Sequence, residues 1–351
     1  MLDLSLPALV GVFTVAAAVV VAAGIVLARS GDQIAERTGL GGMFVGMLLL
    51  AGATSLPEVA TDVSASLAGA PDLAVGDLFG SSMANMAILA TIDLLHRGRV
   101  WPAVSLGHAR LASIGIALTA IAVLGIAAPS GVWLGWVGIE TIIIVGGYVA
   151  AMLWIRRSPT TAHRRGEASA EVVSPTGWGA ASEPERPLRA EVARFAAASV
   201  AVLAAAPVLA LSGQAIAAAT GIGETFIGTV LLAGSTSLPE LVASITAVRI
   251  GAYDLAVGNL FGSNAFNMVA LFAADIAYLP GPILAAVDPA QVVAGMGAIL
   301  MMALALAAVV HGERTRVSRL EPDAVLVLVV WVLLLGAVFA TTTHPVAGAI
   351  P

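Results

Sequence analysis

Ten runs of mostly apolar residues, each long enough for a helix to cross a bilayer, divide this chain. A spanning helix needs about 20 such residues. It also satisfies its backbone hydrogen bonds within a single segment, as hydrocarbon demands. The runs fall at 6–28, 39–68, 72–95, 107–127, 132–155, 193–212, 223–248, 254–279, 287–310 and 323–341. Charged residues make up 11% of the chain and hydrophobic ones 59%. A soluble domain carries roughly 25% charge, so this chain cannot clothe a water-facing surface. That excludes a soluble enzyme, a secreted domain and a disordered protein. Unbroken Ala/Val/Leu/Ile runs exclude a β-barrel, whose strands alternate in polarity. The expected fold is an all-α polytopic membrane protein. Its first run follows Met1-Leu2-Asp3, with no basic start, and reads as a retained helix and not a cleaved leader.

The arginines then fix sidedness. All 16 basic residues are arginine, and each lies in a connection after an odd-numbered run. Arg29 and Arg37 follow the first; Arg97, Arg99 and Arg110 the third. Arg156, Arg157, Arg164, Arg165, Arg186, Arg189 and Arg194 follow the fifth, Arg249 the seventh, and Arg314, Arg316 and Arg319 the ninth. Basic connections stay cytoplasmic, which places both termini outside. The polar stretch 157–190, rich in Arg, Glu, Ser and Pro, reads as a disordered cytoplasmic linker between halves 1–156 and 191–351. Without cysteine there are no disulfides or thiolate sites. His96, His108, His163, His311 and His344 are scattered, and read as solvated loop residues and not metal ligands.

A repeat joins the halves. At an offset of 182, residues 41–90 and 223–272 share 27 identities without a gap. Parity makes the copies inverted, the arrangement of transporters that bind ions at the repeat interface near the midplane. Each copy carries a proline and an acid within an apolar run: Pro57 with Glu58, and Pro239 with Glu240. Proline has no N–H, so the carbonyls of Ala53 and Ser235 lose their helical partners. Leu56 and Leu238 are pushed off the α conformation. A mid-membrane carboxylate costs about 2.5–3.5 kcal/mol or more, and no neighbouring apolar stretch supplies a basic partner. Protons or cations must compensate. Thr54, Ser55, Thr236 and Ser237 add hydroxyls in the same broken turn. The following runs add Asp77, Ser81 and Asn85, matched by Asn259, Ser263 and Asn267, with glycines 76 and 80 allowing close helix approach. Such an all-oxygen donor set suits Ca²⁺, Na⁺ or Mg²⁺ over soft metals.

With its paired GATSLPE/GSTSLPE and GDLFGSSMAN/GNLFGSNAFN segments, the chain resembles the cation/Ca²⁺ exchanger superfamily, which includes sodium/calcium exchangers. The resemblance implies an antiporter exchanging Ca²⁺ for Na⁺ by alternating access, with the first and sixth helices sliding across the core. It places the ion site on Thr54, Ser55, Glu58, Ser81, Asn85, Thr236, Ser237, Glu240, Ser263 and Asn267. Members often carry Asp at the position of Asn267 and Asn at that of Asp77, so here the resemblance implies a carboxylate missing at 267 and one present at 77 in the other copy. Asp62, whose counterpart is Ser244, is a further ion or proton candidate beside Asp77. Asp93, Glu140 and Asp275 read as ordinary polar residues. No cofactor, nucleic acid or obligate protein partner is expected, only transported cations and membrane lipids. A proton-coupled antiporter, a divalent channel or a Mg²⁺ transporter of the same fold are the alternatives. An intramembrane aspartyl protease is a remote one, echoed by Tyr253-Asp254 and Gly76-Asp77.

Overall fold

The computed structural model describes residues 5–96, 100, 107–157, 186–220, 236–311 and 322–343. Helix α1 (Leu6–Thr38) outruns the expected 6–28, because Gln33 bonds Glu36 and Arg37 across one polar face before Gly39 ends the helix at φ 67. The next segment is not one long helix. It comprises α2 (Gly42–Val45), a π-helical turn (Gly46–Leu50), α3 (Ala51–Thr54) and α4 (Leu56–Leu67), with a bend of 46° at Ser55. Then come α5 (Pro71–Leu95), α6 (Gly107–Ala127), a two-strand hairpin (Trp133–Leu134 with Val137–Gly138) and α7 (Ile139–Arg157). The second half holds α8 (Leu188–Thr220), α9 (Leu238–Arg249), α10 (Tyr253–Ala277), α11 (Ile283–Ala286), α12 (Gln291–His311) and α13 (Pro322–Thr343).

Two expectations about the proline breaks need correction. Pro57 does not kink the middle of a helix, and Leu56 is not the residue displaced. The non-helical backbone sits one residue earlier, at Ser55 (φ −88, ψ 1) and Ser237 (φ −87, ψ 4). Proline is favoured at the start of a helix, where its missing N–H would be unpaired anyway. Leu56 and Leu238 therefore join new helices that Pro57 and Pro239 open, and Glu58 and Glu240 stand in the first turns. Ser235 lies outside the described residues. At an offset of 182, α4 and α5 coincide in length with α9 and α10, at 12 and 25 residues.

Eight described helices are individually long and apolar enough to cross a membrane, and the bent segment from Gly42 to Leu67 makes a ninth. Residues 223–235 of the expected seventh run lie outside the description, so ten is not reached among the described residues. Two-thirds of the most apolar stretch of α5 and of α10 is buried, against 11% in α13. The first two are thus the centre and the last faces lipid. Close approach at this centre comes from Gly46 of the first copy with Gly258 and Gly262 of the second, not from Gly80, where a Cβ would meet nothing within 4 Å among the described residues. A Cβ on Gly262 would stand 2.5 Å from Met47 Cα. Helices α1 and α8 make the most extensive pairing, joined at one end where Arg37 donates to the carbonyl of Arg186.

The acids read as ordinary polar residues tie loops. Asp93 accepts the N–H of Val100 at 3.1 Å; Asp275, its counterpart, accepts that of Ile283 at 2.7 Å and that of Gly138 at 2.8 Å. His108 is not solvated. It is buried, with Nε2 2.9 Å from Asp254, while His96 meets the Tyr253 hydroxyl at 3.0 Å.

Candidate cation site

Four segments meet at the middle of the bundle: the α3–α4 break, α5, the start of α9, and α10. Ser55 donates across the interface to Glu240 Oε1 at 3.1 Å, joining the broken turn of one copy to the acid of the other. Glu58 and Glu240 are 2% and 0% exposed. The charged groups that act on Glu58 are Glu240, Asp77 and Asp62, all acidic. No basic side chain is seen to reach either glutamate among the described residues.

The amides decide the chemistry of the centre. Asn267 Nδ2 donates to Ser81 Oγ at 2.9 Å and Ser82 Oγ at 3.1 Å. Asn85 Nδ2 donates to Asn264 Oδ1 at 2.9 Å, and Asn264 Nδ2 to the carbonyl of Ser82 at 3.2 Å. These N–H groups are spent inside the protein. Left without hydrogen bonds are Glu58 Oε2, Glu240 Oε2, Asn85 Oδ1, Asn267 Oδ1, Ser237 Oγ and Ser263 Oγ, all buried and all oxygen. Buried polar atoms ordinarily find partners, and a set of orphaned oxygens with lone pairs to offer fits a hard cation. No three Asp, Glu or His side chains among the described residues form a metal cluster. The donors are spread over carboxylates, amides and hydroxyls instead. Thr236 and Ser237 are both buried at the α9 entry.

Thr54 stands beside Ser55 at Glu240 and also faces the second helix of the other copy. Its hydroxyl bonds Leu50's carbonyl at 3.0 Å and lies 3.3 Å from Asn259 Oδ1, while Asn259 Nδ2 donates to Ser244 at 3.1 Å. Asn259 thereby ties the α3–α4 break to α9 and α10. Asp77 and Asp62 face each other in the first copy at the matching positions. Ser82 and Asn264 escaped the sequence reading because they are not identical. Their signal was subtler: they match at the offset of 182, and both are polar in apolar helices.

Comparison with known proteins then assigns the chain. Sodium/calcium exchanger protein is the family that matches residues 8–154 and 191–340, both halves and both copies of the repeat. The chain belongs to the sodium/calcium exchanger protein family. Two relatives show how far this extends. CaxA of Alkalimonas amylolytica is 29% identical over 298 residues, 83% of this chain and 86% of CaxA. The inner membrane protein YrbG of Escherichia coli (strain K12) is 28% identical over 251 residues, 70% of this chain and 72% of YrbG. The fold is that of the sodium-calcium exchanger NCX_Mj, solved after soaking with 2.5 mM Na⁺ and 10 mM Sr²⁺. That structure superposes with a TM-score of 0.67 over 95% of this chain and 99% of its own, at 19% identity. As a member of the exchanger family the chain is a multi-pass membrane cation antiporter and not an enzyme. The protease reading falls with that, and Tyr253 and Asp254 are engaged by His96 and His108 at a helix start.

Proposed function

We propose that this exchanger is a secondary active antiporter moving Ca²⁺, or a similar divalent cation, against Na⁺ by alternating access. One observation carries the reading: the amide nitrogens at the centre are consumed within the protein, while buried oxygens from both copies, two of them on glutamates, lack partners. Two carboxylates balance one divalent charge. The ion site comprises Thr54, Ser55, Glu58, Ser81 and Asn85 with Thr236, Ser237, Glu240, Ser263 and Asn267. Ten spans in two inverted sets of five, 1–156 and 191–351, carry it, with both termini outside and the 157–190 linker in the cytoplasm. The arginine parity supports that topology. Breaks at Ser55 and Ser237 support alternating access, because α3 and α4 on either side of Ser55 pack on α8, while α9 after Ser237 packs on α1.

Proteoliposomes test this directly. With ⁴⁵Ca²⁺ outside, an outward Na⁺ gradient should drive uptake, and an outward H⁺ gradient alone should not. Uptake driven only by protons would replace the sodium coupling. No Ca²⁺ movement under either gradient would refute a calcium exchanger.

A further inference from the structure

The repeat matches at Glu58 and Glu240, and among the positions where the copies differ, three polar ones of the first copy are grouped on α4 and the facing start of α5. In the first copy these are Asp62, Ser66 and Asp77; in the second, Ser244, Val248 and Asn259. The second set is self-contained. Ser244 and Asn259 bond each other, Asn259 also meets Thr54, and Val248 is buried and apolar. The first set is the opposite. Asp62 is 0% exposed, and among the described residues its carboxyl finds no donor, only a second acid, Asp77. Asp77, facing it from α5, leaves a buried Oδ2 without a hydrogen bond. Ser66, four residues on and therefore on the same face of α4 as Asp62, is 2% exposed with its hydroxyl unpartnered. Two acids and a hydroxyl thus stand where the other copy has a hydroxyl, an amide and a methyl-bearing side chain.

We propose that Asp62 and Asp77, with Ser66, form a second divalent-cation site beside the central one, present in the first copy only. Two carboxyls that face each other, Asp62 fully buried and Asp77 partly so, with no basic neighbour seen among the described residues, call for positive charge beside them. A hard cation that keeps some of its water suits the site, and Asp77 is only half-buried, so water can reach it. The asymmetry has a use. An exchanger whose copies were equivalent would present alike to both sides; an extra site in one copy gives one side its own loading step. This inference rests on the central-site reading of the proposed function, and the test separates the two.

The experiment is ⁴⁵Ca²⁺ equilibrium binding to the full chain in nanodiscs, at pH 8 and without Na⁺. Wild type should bind two Ca²⁺ per chain. Asp62→Asn/Asp77→Asn should bind one, and Glu58→Gln/Glu240→Gln should also bind one, through the other pair. Asp72→Asn, an exposed acid at the start of α5, should still bind two. The single Asp77→Asn variant keeps the test open should the double variant fail to insert. One Ca²⁺ per chain in wild type, with unchanged stoichiometry and affinity in Asp62→Asn/Asp77→Asn, would overturn the second site and leave the central one standing. Loss of all binding in Asp62→Asn/Asp77→Asn, with none lost in Glu58→Gln/Glu240→Gln, would instead overturn the central reading.

Discussion

Ser55 and Glu240 come from different halves of the chain, so a change at either should be felt by the other. Glu58→Gln and Glu240→Gln should each abolish ⁴⁵Ca²⁺ exchange in proteoliposomes, with similar losses, while the protein still inserts. Wild-type rates in either would remove the glutamates from the transport site. Ser55→Ala removes a hydrogen bond to a charged group, worth about 1.5–3 kcal/mol, and should raise the Ca²⁺ concentration for half-maximal uptake by about tenfold or more. In the proposed site protons and Ca²⁺ would compete for the same oxygens. Acidifying from pH 8 to 6 should therefore weaken apparent Ca²⁺ affinity, with the maximal rate recovered at saturating Ca²⁺; a fall in maximal rate alone would count against competition. The glutamates, serines and asparagines at this scale were legible because the repeat repeats them. Which way each amide turns was not, since that depends on partners contributed by the other copy, as Asn267 shows by reaching back to Ser81 and Ser82.

At the scale of elements, the π-helical turn and α10 meet backbone to backbone. Replacing Gly262 with Ala puts a Cβ 2.5 Å from Met47 Cα and 2.7 Å from its carbonyl oxygen. Overpacking of this kind costs about 1–3 kcal/mol, so the melting temperature of Gly262→Ala should fall by several degrees in detergent. Gly336→Ala, in α13 with nothing within 4 Å, should hold or gain slightly, because Ala favours helix over Gly. Equal behaviour of the two variants would sink the packing argument. Hydropathy found these helices but misjudged their ends. The 132–155 run conceals a hairpin, because Gly131 and Gly135 turn at φ 69 amid residues as apolar as the helix itself. Helix α8 begins at Leu188, where Glu191 pairs with Arg194 along one face, a polar turn that a hydropathy window discards.

At the scale of the molecule, α1 and α8 pack together and α1 also lies against α9, at the entry to the second glutamate. A side chain on Gly24 would stand 2.9 Å from Val242 Cγ1. If α1 slides along that contact as transport proceeds, Gly24→Val should slow exchange at least tenfold while equilibrium Ca²⁺ binding stays within twofold of wild type. Parallel loss of binding and turnover would mean instead that α1 merely supports the site. The two halves were readable from the offset of 182, and the family match over residues 8–154 and 191–340 falls on both. The packing of α1 against α9 was not, because Gly24 carries no signal until its neighbour is known.

The break at Ser55 and Ser237 does more than interrupt a span. By restarting each helix just ahead of its glutamate, it sets that carboxylate at a helix N-terminus, where unpaired N–H groups carry a partial charge of about +0.5. The backbone thus adds its own stabilisation to the hydroxyl that Ser55 brings to Glu240. In the proposed site, a cation arriving at Glu58 or Glu240 would meet no basic side chain among the described residues, and on leaving would return the glutamate to N–H groups fixed in the helix.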